Sequence, residues 1–364
     1  MKSLPTTCFF DCLVLLLAAA AAAQDLRLAT WNVAGPERDA GVLAQSAEDL
    51  AAAVGTVDVL VLQEVISDEQ VQAVAEALGH EHWVISDFSP PPSVTGSPFR
   101  SLEAAVTSAL PIEGAGEWDP TGRAANGDNF VPRASSEASP TQELAVPHPV
   151  GELGLDRGFL RVDLADGLSV YAVHWKSSRG QSCNTADLGF ARQREAQANG
   201  VVRDTAALLA EARTVVVTGN FNIQAPGRVP RVGTMPTADC APTGSCDGGC
   251  GASMSDGYVD SIATLLEDLE NARLLSGDLP EIYLARSFPG GAINHILVAG
   301  PLAAGFSDAS VPDAQGTSFA GSDDRPEVAS LASGDRAEDD EARVLRLFDE
   351  NRSRVAEIEQ ILGE

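Results

Sequence analysis

The chain predicts an α/β fold in which two packed sheets are covered by helices. Three observations predict it. Short apolar or β-branched runs, bounded by Gly, Asn, Asp or Pro, recur from Leu26 to Ala329. Longer stretches with helical periodicity lie between some of them. Close neighbours among the runs read as hairpins and the helical stretches as crossovers, a mixture that two sheets with helices outside can accommodate.

The first 23 residues stand outside that fold. Cys12 to Ala23 is an apolar run ending in alanines, behind a start whose only cation is Lys2, and Ala21-Ala22-Ala23 offers the small residues that signal peptidase accepts. A secretory signal cut near Ala23–Gln24 is expected, and with it an extracellular or periplasmic location. The competing reading is a membrane anchor, but the run is short of the roughly 20 apolar residues a span requires, so no stable membrane association is expected.

Strand-type runs then follow at Leu26–Trp31, Val57–Gln63, His82–Ser86, Ala104–Ser108, Gly158–Leu164, Ser169–His174, Thr214–Thr218, Ile293–Ala299 and Pro326–Ala329. In the first, alternation puts Leu28, Thr30 and Asn32 on one face, while Val57–Gln63 is apolar enough to be buried on both. Helical patterns occupy Ala40–Val54, Asp68–Leu78, Phe190–Ala212 and Ser261–Leu274. No internal repeat or clear linker interrupts the apolar runs, so residues 24–332 are expected to form one domain. Two excursions leave it: a Gly/Pro/Ser/Glu insertion at about 119–150, and a Cys-containing Gly/Asp/Ser loop at about 239–256. Residues 333–364 read as a C-terminal helix with an apolar stripe of Val344, Leu347, Phe348, Val355, Ile358 and Leu362. The stripe is expected to pack back on the body of a monomer; pairing with a second chain is the alternative.

The formal net charge of −28 repels polyanions in dilute buffer and argues against a broad electrostatic grip on nucleic acid. At about 1 M salt the screening length falls to roughly 3 Å, and an acidic exterior then mainly maintains solubility. A saline habitat explains the charge as well as a functional role does. Beyond the signal the only lysine is Lys176, two residues past His174, which supports a role in binding an anion. The mature chain keeps four cysteines, Cys183, Cys240, Cys246 and Cys250, an even number that in an exported protein suggests two disulfides of undetermined pairing. A zinc site is the alternative, but five and three residues between the last three, with no nearby histidine, fit zinc-ligand spacings poorly.

Chemistry-bearing residues stand at the strand ends. Glu64 closes an apolar strand, where a carboxylate must be paired, protonated or bound to a cation. A hard cation such as Mg²⁺, which takes one or two carboxylates plus phosphate and water oxygens, suits it. His174 ends another strand and can donate to a phosphoryl oxygen or move a proton. In Gly219-Asn220-Phe221-Asn222, a period of two sends both asparagines to one face and Phe221 to the core.

Ala29-Thr30-Trp31-Asn32, Leu62-Gln63-Glu64, Ala109-Leu110-Pro111-Ile112, Asp156-Arg157-Gly158-Phe159-Leu160, Val173-His174-Trp175-Lys176-Ser177, Gly219-Asn220-Phe221-Asn222, and Ile293-Asn294-His295 with Ser322-Asp323-Asp324-Arg325-Pro326 occur in that order. Together they resemble the endonuclease/exonuclease/phosphatase family over about Leu26 to Leu331. The resemblance implies a four-layered α/β sandwich of two mostly antiparallel sheets flanked by helices. It also implies a divalent-metal-dependent phosphoester hydrolase using Mg²⁺ or Mn²⁺, with Ca²⁺ a further candidate. Asn32, Glu64 and Asp323 match the metal site. His174 and Arg157 match phosphate contacts, a set that Lys176 would extend, and Asn222 matches the residue orienting the scissile phosphate.

Three departures fall on the acid–base machinery. Asn220 stands where the family has an aspartate acting on the attacking water. Asn294 replaces the aspartate that supports the catalytic histidine, and Asp324 replaces that histidine. Asparagine keeps the shape of aspartate but cannot accept a proton usefully near neutral pH. His295 neighbours Asn294 and should face the other side of its strand. Three functions follow: a secreted phosphodiesterase or nuclease with a weakened or rearranged site; a silent relative that binds a phosphorylated ligand or a protein; or a scaffold for the Cys-containing loop and terminal helix. The substrate class expected for the first is nucleic acid or a small phosphodiester.

Overall fold

A computed structural model describes residues 25–86, 88, 93, 96–118, 133–134, 141–143, 158–176, 189–223, 261–278, 293–312 and 326–332 of the chain. The signal-like segment, the four mature cysteines and the expected C-terminal helix lie outside the described residues. Residues 27–330 form one compact unit. The chain ends, 1–26 and 331–364, form a second, of which only residues 25, 26, 331 and 332 are described.

The strands are β1 (Leu26–Asn32), β2 (Val59–Val65), β3 (His82–Ile85), β4 (Glu103–Ser108), β5 (Ile112–Trp118), β6 (Arg133–Ala134), β7 (Thr141–Glu143), β8 (Phe159–Leu164), β9 (Leu168–His174), β10 (Thr214–Asn220), β11 (Arg273–Leu274), β12 (Asn294–Ala299) and β13 (Glu327–Leu331). One sheet has the order β13-β1-β2-β4-β3-β6 and the other β11-β12-β10-β9-β8-β5-β7. Most neighbours are antiparallel, whereas β1–β2, β9–β10 and β5–β7 are parallel. The helices are α1 (Ala40–Val54), α2 (Asp68–Leu78), α3 (Gly189–Ala210) and α4 (Ser261–Asp268).

The central strands are buried on both faces, and parity decides which layer each side chain enters. Ala29, Trp31 and Val33 of the β1 segment and Leu60 and Leu62 of β2 pack against Leu43, Ala47 and Leu50 of α1 and Val71 and Val74 of α2. Those helix residues recur at the three- and four-residue spacing of one apolar face. In the second sheet Tyr171, Val173, Trp175, Val215, Val217 and Leu297 pack under Ala198 and Val201 of α3 and Ile262 and Leu265 of α4. Because side chains alternate along a strand, the residues between these point into the space where β2 lies against β9 and β10. The result is an α/β sandwich of four layers, helix, sheet, sheet, helix. Each fully buried Val, Leu or Phe contributes about 1.5–3 kcal/mol.

Asp39 caps α1 by accepting from the Val42 N–H at 2.9 Å, and Ser67 caps α2 by accepting from the Gln70 N–H at 3.3 Å. The pattern expected to run as one helix over Ser261–Leu274 is broken: α4 ends at Asp268, Asn271 takes a positive φ of 55°, and Arg273 and Leu274 pair with β12. Nor is the 119–150 insertion wholly a surface loop. Arg133 and Ala134 extend the first sheet beside β3, and Thr141–Glu143 add a parallel strand to β5. Edge pairing of this kind uses backbone groups, so a polar segment can supply it.

Candidate active site

The ends of β1 and β2 in one sheet meet the ends of β9, β10 and β12 in the other. Asn32 is in register with Gln63, the residue before Glu64. Across the second sheet Asn220 pairs with His174 on one side and Asn294 on the other, so these three form one lateral row. Phe221 and Trp175 lie in the helix-covered core, and the row faces the opposite way, toward β2.

Glu64 reaches the row through a break in its strand. Gln63 pairs with Ala104 but Val65 with Glu103, so Glu64 is an extra residue in the ladder, a β-bulge, with φ of 65°. Simple alternation would turn Glu64 toward the helices. The bulge instead re-aims its carboxylate, and Val65 returns to the helix-covered core. Glu64 Oε1 then stands 3.6 Å from His174 Nε2, an ion-pair separation once the ring is protonated. Glu64 keeps 26% of its side chain exposed while His174 is almost wholly buried, so the open end of the pair is the carboxylate. Gly35 lies so close that a Cβ there would be 2.2 Å from the Glu64 carbonyl oxygen. Only glycine fits that approach.

The asparagines are partly committed. Asn32 Oδ1 accepts from the Ala34 N–H at 3.2 Å. Asn220 Oδ1 accepts from the Asn222 N–H at 2.9 Å, which leaves its Nδ2, a donor, for the cleft. Asn222, with φ of 54°, donates from Nδ2 to the Trp175 carbonyl at 2.8 Å, leaving its Oδ1 as an acceptor. Asn294 is fully buried, with neither its Nδ2 nor its Oδ1 hydrogen-bonded. Such an amide is a destabilising feature of about 1–3 kcal/mol.

His295 does face away. Its Nε2 donates to the Ile223 carbonyl and its Nδ1 accepts from Ser276 Oγ, each at 2.8 Å, with Phe221 edge-on at 5.4 Å. Burial, only partly offset by the Ile223 carbonyl, pushes its pKa down to about 4, so it is a neutral core residue. Lys176 continues from β9; its N–H donates to Gln197 Oε1 at 3.1 Å and its carbonyl accepts from Arg194 at 2.9 Å. The structure therefore brings Asn32, Glu64, His174, Asn220, Asn222 and Asn294 to one end of the sandwich. Arg157, Asp323 and Asp324 lie outside the described residues.

Among the described residues no three His, Cys, Asp or Glu side chains gather as a metal site. The donors present at the first sheet's end, one carboxylate and one amide oxygen, suit a hard divalent cation that completes its shell with water and phosphate oxygens. Sequence reading did not find Gln70, whose side chain ties together the loops after β1 and β2. Its signal was the Ser67-x-x-Gln70 pattern of a helix capping box.

No protein-family model and no curated protein matches the chain. In three dimensions it is similar to a 3'-5' exonuclease (NExo) from Neisseria meningitidis, at 17% identity and a TM-score of 0.49, over 84% of this chain and 99% of that one. It is also similar to an AP endonuclease from Archaeoglobus fulgidus, at 14% identity and a TM-score of 0.49 over the same shares. A third similar structure is an endonuclease/exonuclease/phosphatase from Beutenbergia cavernae, at 15% identity and a TM-score of 0.47 over 85% of this chain and 71% of that one. The last bears the name of the family that the sequence motifs resemble.

Proposed function

We propose that this chain is a secreted, divalent-metal-dependent phosphoester hydrolase whose acid–base machinery is weakened. The observation that carries the reading is the bulged Glu64, which sets an open carboxylate 3.6 Å from a buried histidine where two sheets end together. A Mg²⁺ or Mn²⁺ ion held by Glu64 and Asn32, with Asp323 as a further ligand, would neutralise charge on a phosphoryl oxygen. His174 Nε2 and Asn220 Nδ2 supply donors to an anion beside it, and Asn222 Oδ1 supplies an acceptor that can orient a water. Arg157 and Lys176 would add positive charge to the phosphate contacts. Nucleic acid or a small phosphodiester is the proposed substrate, met by a chain whose formal net charge of −28 disfavours a broad electrostatic grip in dilute buffer.

The weakness lies at Asn220. Its amide oxygen, which already accepts from the Asn222 N–H, is not basic enough to take a proton near neutral pH, and its Nδ2 can only donate a hydrogen bond. Loss of a positioned acid or base typically lowers rate by about 10²–10⁴. The same observation favours a second reading, in which the donors at 174 and 220 bind a phosphorylated ligand without turning it over.

The test is hydrolysis of bis-(p-nitrophenyl) phosphate and plasmid DNA by the mature protein, with and without Mg²⁺ or Mn²⁺, beside a Glu64→Ala control. Metal-dependent turnover that disappears in the control is expected. Turnover no greater than the control's, across dilute and concentrated salt, would refute the hydrolase and leave the binding reading.

A further inference from the structure

Gln70 sits in the first turn of α2, almost wholly buried, and its amide makes three hydrogen bonds, all to backbone. Oε1 accepts from the Ile66 N–H at 2.9 Å. Nε2 donates to the carbonyls of Gly35 and Arg38, each at 2.8 Å. Both donors of the amide are therefore used on one loop, and its oxygen holds another.

Those loops are the ones that leave the metal-site strands. Residues 33–38 follow Asn32, and Ile66 follows Glu64 and Val65. A helix capping box explains part of this arrangement: Ser67 caps the helix, and the side chain three residues on reaches back toward the preceding turn. Capping needs only the acceptor. The two bonds from Nε2 to Gly35 and Arg38, thirty-five and thirty-two residues away, do nothing for the helix end.

What they hold is Gly35 against Glu64. A Cβ on Gly35 would lie 2.2 Å from the Glu64 carbonyl oxygen and 3.0 Å from Gln70 Oε1, so the glycine is wedged between the bulge and the glutamine. The Glu64 backbone is in a left-handed conformation that L-residues other than Asn, Asp and Gly avoid, and it persists only where its surroundings impose it. The loop held by Gln70 is part of those surroundings.

We propose that Gln70 is a positioning residue that sets the placement of Glu64 relative to Asn32 by clamping the loops behind them. The proposal rests on the reading of Glu64 and Asn32 as cation ligands. Gln70 touches neither the cation nor the substrate, and acts through Gly35 and Ile66.

Gln70→Glu keeps the acceptor for Ile66 but removes both donors, and Gln70→Met keeps the volume and removes all three bonds. Mn²⁺ affinity of the mature protein is measured by titration calorimetry beside the thermal midpoint, with Val71→Ala as control. Val71 is fully buried on the same helix in the core beneath it. Its truncation therefore loses stability without removing any of the three hydrogen bonds that Gln70 makes. Both Gln70 variants should bind Mn²⁺ about tenfold more weakly or worse, as when a partner of a metal ligand is removed, and Val71→Ala should bind as the wild type does. Wild-type affinity in Gln70→Met, or equal weakening in Val71→Ala, would overturn the positioning role and leave the cation reading intact. If the wild type takes up no Mn²⁺, it is the cation reading that fails, and the positioning role with it. Should Gln70→Glu not fold, the methionine variant decides.

Discussion

Adding one methyl group at Gly219 should damage the structure out of proportion to its size. A Cβ built there would lie 2.0 Å from the Val173 carbonyl oxygen, 3.0 Å from its carbon and 3.1 Å from the Val173 nitrogen. These are backbone atoms of the parallel neighbour β9, in register with Gly219 itself, and no side-chain rotation relieves them. The residue also has φ of 141°, outside what L-residues readily adopt. Overpacking of this kind costs about 1–3 kcal/mol and the disallowed backbone a similar amount, so Gly219→Ala should lose about 3–4 kcal/mol. At roughly 2 °C per kcal/mol for a domain this large, the melting point falls by about 6–8 °C. Urea denaturation followed by tryptophan fluorescence reads the loss. Gly114→Ala in the same sheet is the control, since its Cβ would meet only Asp163 Oδ2 at 3.7 Å, an ordinary contact. A Gly219→Ala protein within about 1 kcal/mol of that control would refute the close approach on which the His174–Asn220 row depends.

Two further outcomes follow from burial. His295 titrates at about 4 in the fold against 6.5 when free, so the unfolded chain takes up the proton first. Its contribution is complete above pH 6.5 and is lost as pH falls through 4, a swing of about 3 kcal/mol that His295→Gln should remove from the pH dependence of urea stability. An unchanged pH profile in that variant would contradict the assignment. At Asn294, sealed from solvent and unbonded, Asn294→Asp alone would bury a bare carboxylate and raise its pKa. Its stability deficit against the wild type should therefore widen from pH 5 to pH 8, reaching about 3 kcal/mol, and a variant as stable as wild type at pH 8 would show that the position is open to water.

Most strands were legible because their residues are apolar on both faces, as a layer between helices and a second sheet requires. β5 was missed because Glu113, Gly114, Gly116 and Glu117 depress strand propensity, and an irregularity between Ile112 and Gly114 breaks the alternation that would have marked it. β6 and β7 were missed because an edge ladder asks little of side chains. The described residues of the candidate site were visible as motifs at strand ends, and the row of His174, Asn220 and Asn294 follows from register alone. The bulge at Glu64 left no trace in composition. Nor did the commitment of the Asn220 oxygen, which depends on a turn two residues long. Gln70 was hidden for a different reason: its pattern accounts for itself as a helix cap, and the second loop it reaches is remote in sequence.

The Glu64–His174 pair is divided between two sheets, so the distance between them is a thickness. It is measured out by the side chains stacked between the layers, Val61 and the buried Thr30–Gln63 pair from one side and Ala172 and Val216 from the other. A filler that is one methylene longer, far down the stack, acts like a shim under a vice. It would change the gap between the carboxylate and the imidazole without altering an atom of either.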